Sequence, residues 1–161
     1  MNFEDSIPLY AELALALAGF AGIVSVFAGR ERQFRPIERL RLGGLMSLSG
    51  TVLAGCLAYI VGSVAGIAEA NVLVITAIVC LIPTCALSLF KTPELWRRSK
   101  DADATIAQWS LYLVTALMLS YLLLFGAAIF VSGSAWMIAL GFSLLLLHGL
   151  WMFVLLLTQA N

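Results

Sequence analysis

Two ionisable side chains, Glu12 and His148, stand inside otherwise apolar stretches of this sequence. A charge at the centre of a membrane helix costs about 2.5 to 3.5 kcal/mol on insertion scales, so each such group is a candidate site by default. The two types suit proton or cation traffic, a carboxyl and the one side chain that ordinarily titrates in the physiological range. At helical spacing Glu12 shares a face with Ala16, Gly19 and Ile23, small enough for another helix to cover it. Its expected partners are Tyr59, Ser63, Asn71 and Thr76, and the plainer alternative is a carboxylate reaching back to the headgroups. His148, the single histidine, shares a face with Gly141, Leu144, Leu145, Trp151 and Met152 and matches Thr51, Ser120 and Tyr121 in depth. The plainer alternative there is a neutral imidazole bonded to one hydroxyl. Counting about 1.5 Å per residue separates Glu12 from His148 by roughly 12 Å in depth. That spacing favours a relay through waters or hydroxyls, or one ring of each group between subunits, over a direct pair.

Other chemistries find little support. Cys56, Cys80 and Cys85 all fall within apolar segments, and Cys80 and Cys85 lie on different helix faces, so neither a disulfide framework nor a metal site is expected. A lone histidine excludes bis-histidine haem and HExxH zinc chemistry. The strings "SLSG" and "SGSAW" would allow a Ser–His148 dyad, but short Ser-Gly strings are common, and no enzyme activity or cofactor is expected. With 62% hydrophobic and 11% charged residues, nucleic-acid binding, secreted scaffolds and disorder are excluded, and the apolar surface needs lipid to solvate it.

The elements that must hold these groups follow from length. Crossing about 30 Å of hydrocarbon takes about 20 apolar residues, and five stretches qualify: 7–29, 43–67, 72–90, 106–131 and 135–157. The expected fold is an all-α, single-domain five-helix bundle, one lone span followed by two helical hairpins. All nine basic residues fall in two connections, 30–42 and 91–105. Under the positive-inside rule these are cytoplasmic, which puts the N-terminus and the turns near 68–71 and 132–134 outside and the C-terminus inside. Tyr10 and Trp136 fit the outer interface and Trp96, Trp109 and Tyr112 the inner one, whereas Trp151 lies too deep for this role. The acidic leader Met1 to Asp5 argues against a cleaved signal peptide.

The first basic connection, "GRERQFRPIERLRLGG", reads as a short interfacial helix beginning at Pro36. Its Arg30, Arg32, Arg35, Arg39 and Arg41 are expected to contact anionic headgroups at the cytoplasmic face, the plainer alternative being a topology signal and nothing more. In the second, "KTPELWRRSKDADAT", Thr92 reads as a cap before Pro93, and Asp101 and Asp103 precede the fourth span.

Helices in lipid associate through close packing, which small residues permit. Gly50, Ala54, Ala58, Gly62 and Gly66 recur at intervals of four, beside a second row of Ser47, Thr51 and Gly55, so the second span is expected to be central, its stripe packing within one bundle, at a subunit interface, or both. Ala14, Ala18 and Gly22 repeat the pattern in the first. Pro83 should kink the third span and free the carbonyl of Val79, with Thr84 as its nearest hydroxyl. The segment "AELALALAGFAGIVSVF" with the Arg-rich turn after it resembles the opening of small multi-span bacterial membrane proteins, a likeness of generic composition that carries no activity across. The expected function is a homo-oligomeric inner-membrane channel or transporter for protons, ions or a small solute, with spans two and three lining the path. The alternative is a non-transporting accessory subunit that scaffolds a partner or binds lipid.

Overall fold

The computed structural model describes residues 3–31, 36–101, 108–131 and 134–158. It is all-helical: α1 (Phe3–Glu31), α2 (Pro36–Val64), α3 (Glu69–Asp101), α4 (Gln108–Phe130) and α5 (Ala135–Thr158). All five are long and apolar enough to cross a membrane, as a multi-pass membrane protein requires. Helices are the natural form for such segments, because every interior N–H and C=O is satisfied within its own strand of chain.

Helices α2, α3, α4 and α5 form a closed ring, each packed on the next and α5 packed back on α2. Across the ring α3 touches α5, while α2 and α4 do not meet. Helix α1 lies outside the ring, in the groove between α2 and α5. Its Ala14 and Ala21 are fully buried there, whereas Leu9, Leu13, Leu15, Phe20, Ile23 and Val26 face outward. The starts of α1, α3 and α5 and the ends of α2 and α4 share one end of the bundle, here the N-terminal end. The opposite end, which carries Arg39, Arg41 and Arg97, is the basic end.

Two elements run further than the sequence spacing indicates. No separate interfacial helix exists at Pro36, because α2 continues unbroken from that residue through Gly43 and Gly44. Proline fits a first turn, whose N–H groups lack intrahelical acceptors, and nothing after it interrupts the ladder. Likewise α3 passes through Pro83 and Pro93 to Asp101, so Thr92 is interior and caps nothing. Its hydroxyl instead approaches Met118 Sδ at 3.3 Å. Near Pro83, Thr84 Oγ1 donates to the carbonyls of Cys80 (2.7 Å) and Leu81 (2.9 Å) rather than to Val79.

Gly66 ends α2 instead of packing it. Its φ of +71° is a left-handed conformation. The bonds Ile67 N–H to Gly62 O (3.2 Å) and Gly66 N–H to Ser63 O (3.1 Å) close a Schellman motif around it. The remaining small residues of α2 divide by face. Along the stripe Gly50 and Ala54 point outward, Ala58 is half-buried and Gly62 is buried, with the Val72 methyls 3.0 Å from where its Cβ would be. The neighbouring row supplies the tightest approach: a Cβ on Gly55 would stand 2.6 Å from Cys80 Sγ and 2.7 Å from Phe142 Cζ. The stripe expected to pack α2 therefore faces outward over much of its length. In a helix apolar all round, the ring contacts and not the small residues set the rotation.

Candidate functional site

The interior of the ring differs along its length. Towards the N-terminal end it is filled by rings gathered on Phe142. The centroid of Tyr10 lies 5.4 Å from that of Phe142, Phe125 lies at 6.2 Å and Phe3 at 6.5 Å, and Phe3 also meets Tyr59 edge-on at 5.2 Å. Glycines admit this layer. A Cβ on Gly141 would fall 2.7 Å from the Phe125 ring, just as one on Gly55 would strike Phe142. The polar tips inside the layer are paired. Tyr10 Oη donates to the carbonyl of Ala139 at 3.1 Å, and Tyr59 Oη donates to Glu4 Oε1 at 3.2 Å.

Towards the basic end the same ring holds a small cleft of about 40 Å³ lined by all four of its helices. Gly44 and Leu48 come from α2, Leu87, Lys91 and Thr92 from α3, Val114, Met118 and Tyr121 from α4, and His148 and Met152 from α5. The lining is almost wholly apolar. Space survives here because Gly44 contributes no side chain and two flexible methionines share the lining with the Tyr121 and His148 rings. A Cβ on Gly44 would meet only Met152 Cε, at 3.8 Å. Lys91 is the exposed residue of the lining and marks its open side, while His148 and Tyr121 are 2% and 1% exposed. Their rings stack at 6.1 Å with 29° between planes.

His148 is the unusual group. Neither Nδ1 nor Nε2 has a hydrogen-bond partner, and with Ser49 Oγ these are the buried side-chain polar atoms left unmatched among the described residues. A buried donor or acceptor without a partner costs about 1 to 3 kcal/mol, and neutral imidazole presents one of each. The nitrogens are closed off from the cleft that the ring borders, so they could meet a solute group that both accepts and donates only after a neighbouring side chain moves. The hydroxyl expected to satisfy the imidazole is not supplied. Thr51 donates to Ser47 O at 2.8 Å and the exposed Ser120 to Ala116 O at 2.8 Å.

Of the residues singled out in the sequence, the structure unites His148 and Tyr121 and separates the others. Glu12 lies on the outward face of α1 with Leu13, Ala16 and Gly19, outside the ring, and meets neither Tyr59 nor His148. The register that opposes Ile7 to Cys56, whose Sγ lies 3.8 Å from the Ile7 carbonyl, also opposes Glu4 to Tyr59. It leaves Glu12 level with Thr51, pointing away. Glu4 as the partner of Tyr59 was missed; depth matching of antiparallel helices, from the start of α1 to the end of α2, carries that signal. The cleft is also lined by four helices, not by the second and third spans alone.

At the basic end Arg39 is exposed, but Arg41 is 2% exposed and interacts electrostatically with the equally buried Glu38. Arg41 is therefore withdrawn from headgroups: three residues after Glu38 on one helix, it faces the bundle with its countercharge. Arg32 and Arg35 and the side chain of Arg30 lie outside the described residues, as does the side chain of Trp109. The deep Trp151 is accounted for by its indole N–H, which lies 3.4 Å from Ser110 Oγ on α4. Among the described residues no group of three or more His, Cys, Asp or Glu could hold a metal ion. Comparison with protein-family models, with curated proteins and with solved structures finds no match for this chain.

Proposed function

We propose that this chain is a multi-pass inner-membrane transporter for a small solute, held in the cleft of the α2–α5 ring. The observation that carries the reading is His148: a buried imidazole with both nitrogens unmatched, beside a small cleft that widens only if the flexible Met118 and Met152 side chains move. The positive-inside rule makes the basic end cytoplasmic and the N-terminus external, so the cleft opens inward. The aromatic layer around Phe142 closes the other half of the ring. A one-sided cleft beside a closed layer suits alternating access better than an open pore, and the lining is too apolar to serve as an ion path. The outward faces of α1 and α2, with Glu12, Gly50 and Ala54, offer surface for a second copy, in keeping with a homo-oligomer.

The same outward faces favour a second reading, a non-transporting subunit that docks a partner helix or lipid through α1 and α2. Flux in proteoliposomes separates the two. The transporter reading expects solute uptake that Gly44→Phe and His148→Leu abolish and Glu12→Gln leaves intact. Absence of flux for protons, monovalent ions and small organic solutes by folded wild-type protein contradicts it and leaves the docking reading.

A further inference from the structure

We infer that α1 pairs with α1 of a second copy of this chain, along a parallel seam on which the two Glu12 carboxyls meet. The inference rests on the homo-oligomer proposed above and is independent of what the cleft holds. Glu12 is exposed on the outward face of α1, and no described residue bonds to it. Thr51, with which it is level, stands about 20 Å before the end of α2 at Val64, so the carboxyl lies near the middle of a hydrocarbon layer about 30 Å thick. An ionisable group is strongly disfavoured against lipid at that depth, and a polar partner is expected to cover it.

The residues around Glu12 point to that partner. Leu9, Glu12, Ala16, Gly19 and Ile23 are all exposed and follow one another at alternating steps of three and four, the spacing that holds one helix face against a parallel partner in a left-handed pair. Ala16 and Gly19 let the two backbones approach. A Cβ on Gly19 would meet nothing within 4 Å, so the chain itself makes no use of that gap. Helix α1 also has the most surface to spare: 11% of its apolar window is buried, against 28% or more in each of the other four spans. Two copies inserted the same way round are related by an axis along the membrane normal, which preserves depth and sets each seam residue opposite its own counterpart. Glu12 thus meets a carboxyl at its own level, and the pair hydrogen-bonds when it holds at least one proton. No Lys or Arg of this chain lies at that depth, since all nine fall in 30–42 and 91–105.

The test is copper-phenanthroline oxidation in proteoliposomes. Leu9→Cys, Ala16→Cys and Ile23→Cys place a thiol on the seam, Leu13→Cys and Leu15→Cys place one beside it, and the wild type with its three cysteines sets the baseline. Disulfide-linked dimer is expected from the first three at least tenfold above baseline and from the other two at baseline. Gly19→Ile, added to Ala16→Cys, is expected to cut the yield at least tenfold with helicity unchanged. In Förster transfer between C-terminally tagged copies, Glu12→Leu is expected to weaken dimerisation about tenfold, the loss of one interhelical hydrogen bond, whereas Glu12→Gln, whose amides can pair across the axis, dimerises like the wild type. Equal yields on and beside the seam, or dimerisation indifferent to both Gly19→Ile and Glu12→Leu, overturn the seam. A folded protein that is monomeric at every lipid dilution overturns the second copy as occupant. Flux by such a monomer still supports the transporter reading, and a seam dimer without flux contradicts that reading alone.

Discussion

The two halves of the α2–α5 ring are built from the same apolar alphabet and end in opposite conditions. Around Phe142, glycines at 55 and 141 let rings approach to within a methyl group's reach, and the tyrosine hydroxyls find partners in Ala139 O and Glu4. Around His148, a glycine at 44 faces Met152, a small space remains, and the imidazole is unmatched. The difference teaches what glycine does in each place. Beside an aromatic ring it permits contact; beside methionine it leaves a cleft. A packed half can hold the molecule together and a hollow half can bind, and the substitutions below ask whether stability and binding divide along that line.

The largest effect is expected at the hub. Phe142→Ala removes the ring that meets Tyr10, Phe125 and Phe3, and should cost about 3 kcal/mol, read as lowered melting temperature in mild detergent. Gly55→Leu forces a side chain where a Cβ alone would be 2.6 Å from Cys80 Sγ, and should cost about 2 kcal/mol by overpacking. Gly66→Ala opposes a φ of +71° and should cost about 1 kcal/mol. Tyr59→Phe, which deletes the bond to Glu4, should also cost about 1 kcal/mol. Smallest of all, Gly44→Val and Glu12→Gln should each change stability by less than about 0.5 kcal/mol, the first because its methyls enter open space and the second because its side chain faces outward. A Gly44→Val protein as damaged as Gly55→Leu would erase the distinction between the halves.

Five helices and their approximate positions were legible from apolar length alone, since lipid imposes it. The pairing of His148 with Tyr121 was legible from depth. Helix rotation was not. Glu12 was open to two readings, covered by a neighbouring helix beside Ala16 and Gly19 or reaching back to the headgroups, and α1 turns Ala14 and Ala21 inward and carries Glu12 out. The same ambiguity left open whether Gly50 and Ala54 pack within the bundle or between subunits, and in this chain they face outward. A helix apolar on every side has no stripe to reveal its buried face, and small residues are tolerated wherever lipid or another helix can cover them. Arg41 was misread for a related reason: charge counts place a segment at one end of a bundle but not a guanidinium relative to Glu38. The closed ring of α2–α5, with α1 outside it, lies in contacts between distant segments that no local pattern encodes.

The central claim, that the cleft bounded by Gly44 opens far enough to uncover the imidazole of His148, whose nitrogens are closed off at rest, is most directly tested by carbethoxylation. Diethyl pyrocarbonate is applied to folded wild-type and Gly44→Phe proteins, and modification of the single histidine is quantified by peptide mass spectrometry. Reaction at His148 in the wild type, suppressed by Gly44→Phe at unchanged melting temperature, is the expected result. An inert His148 in the folded wild type, or equal reaction in both proteins, contradicts it.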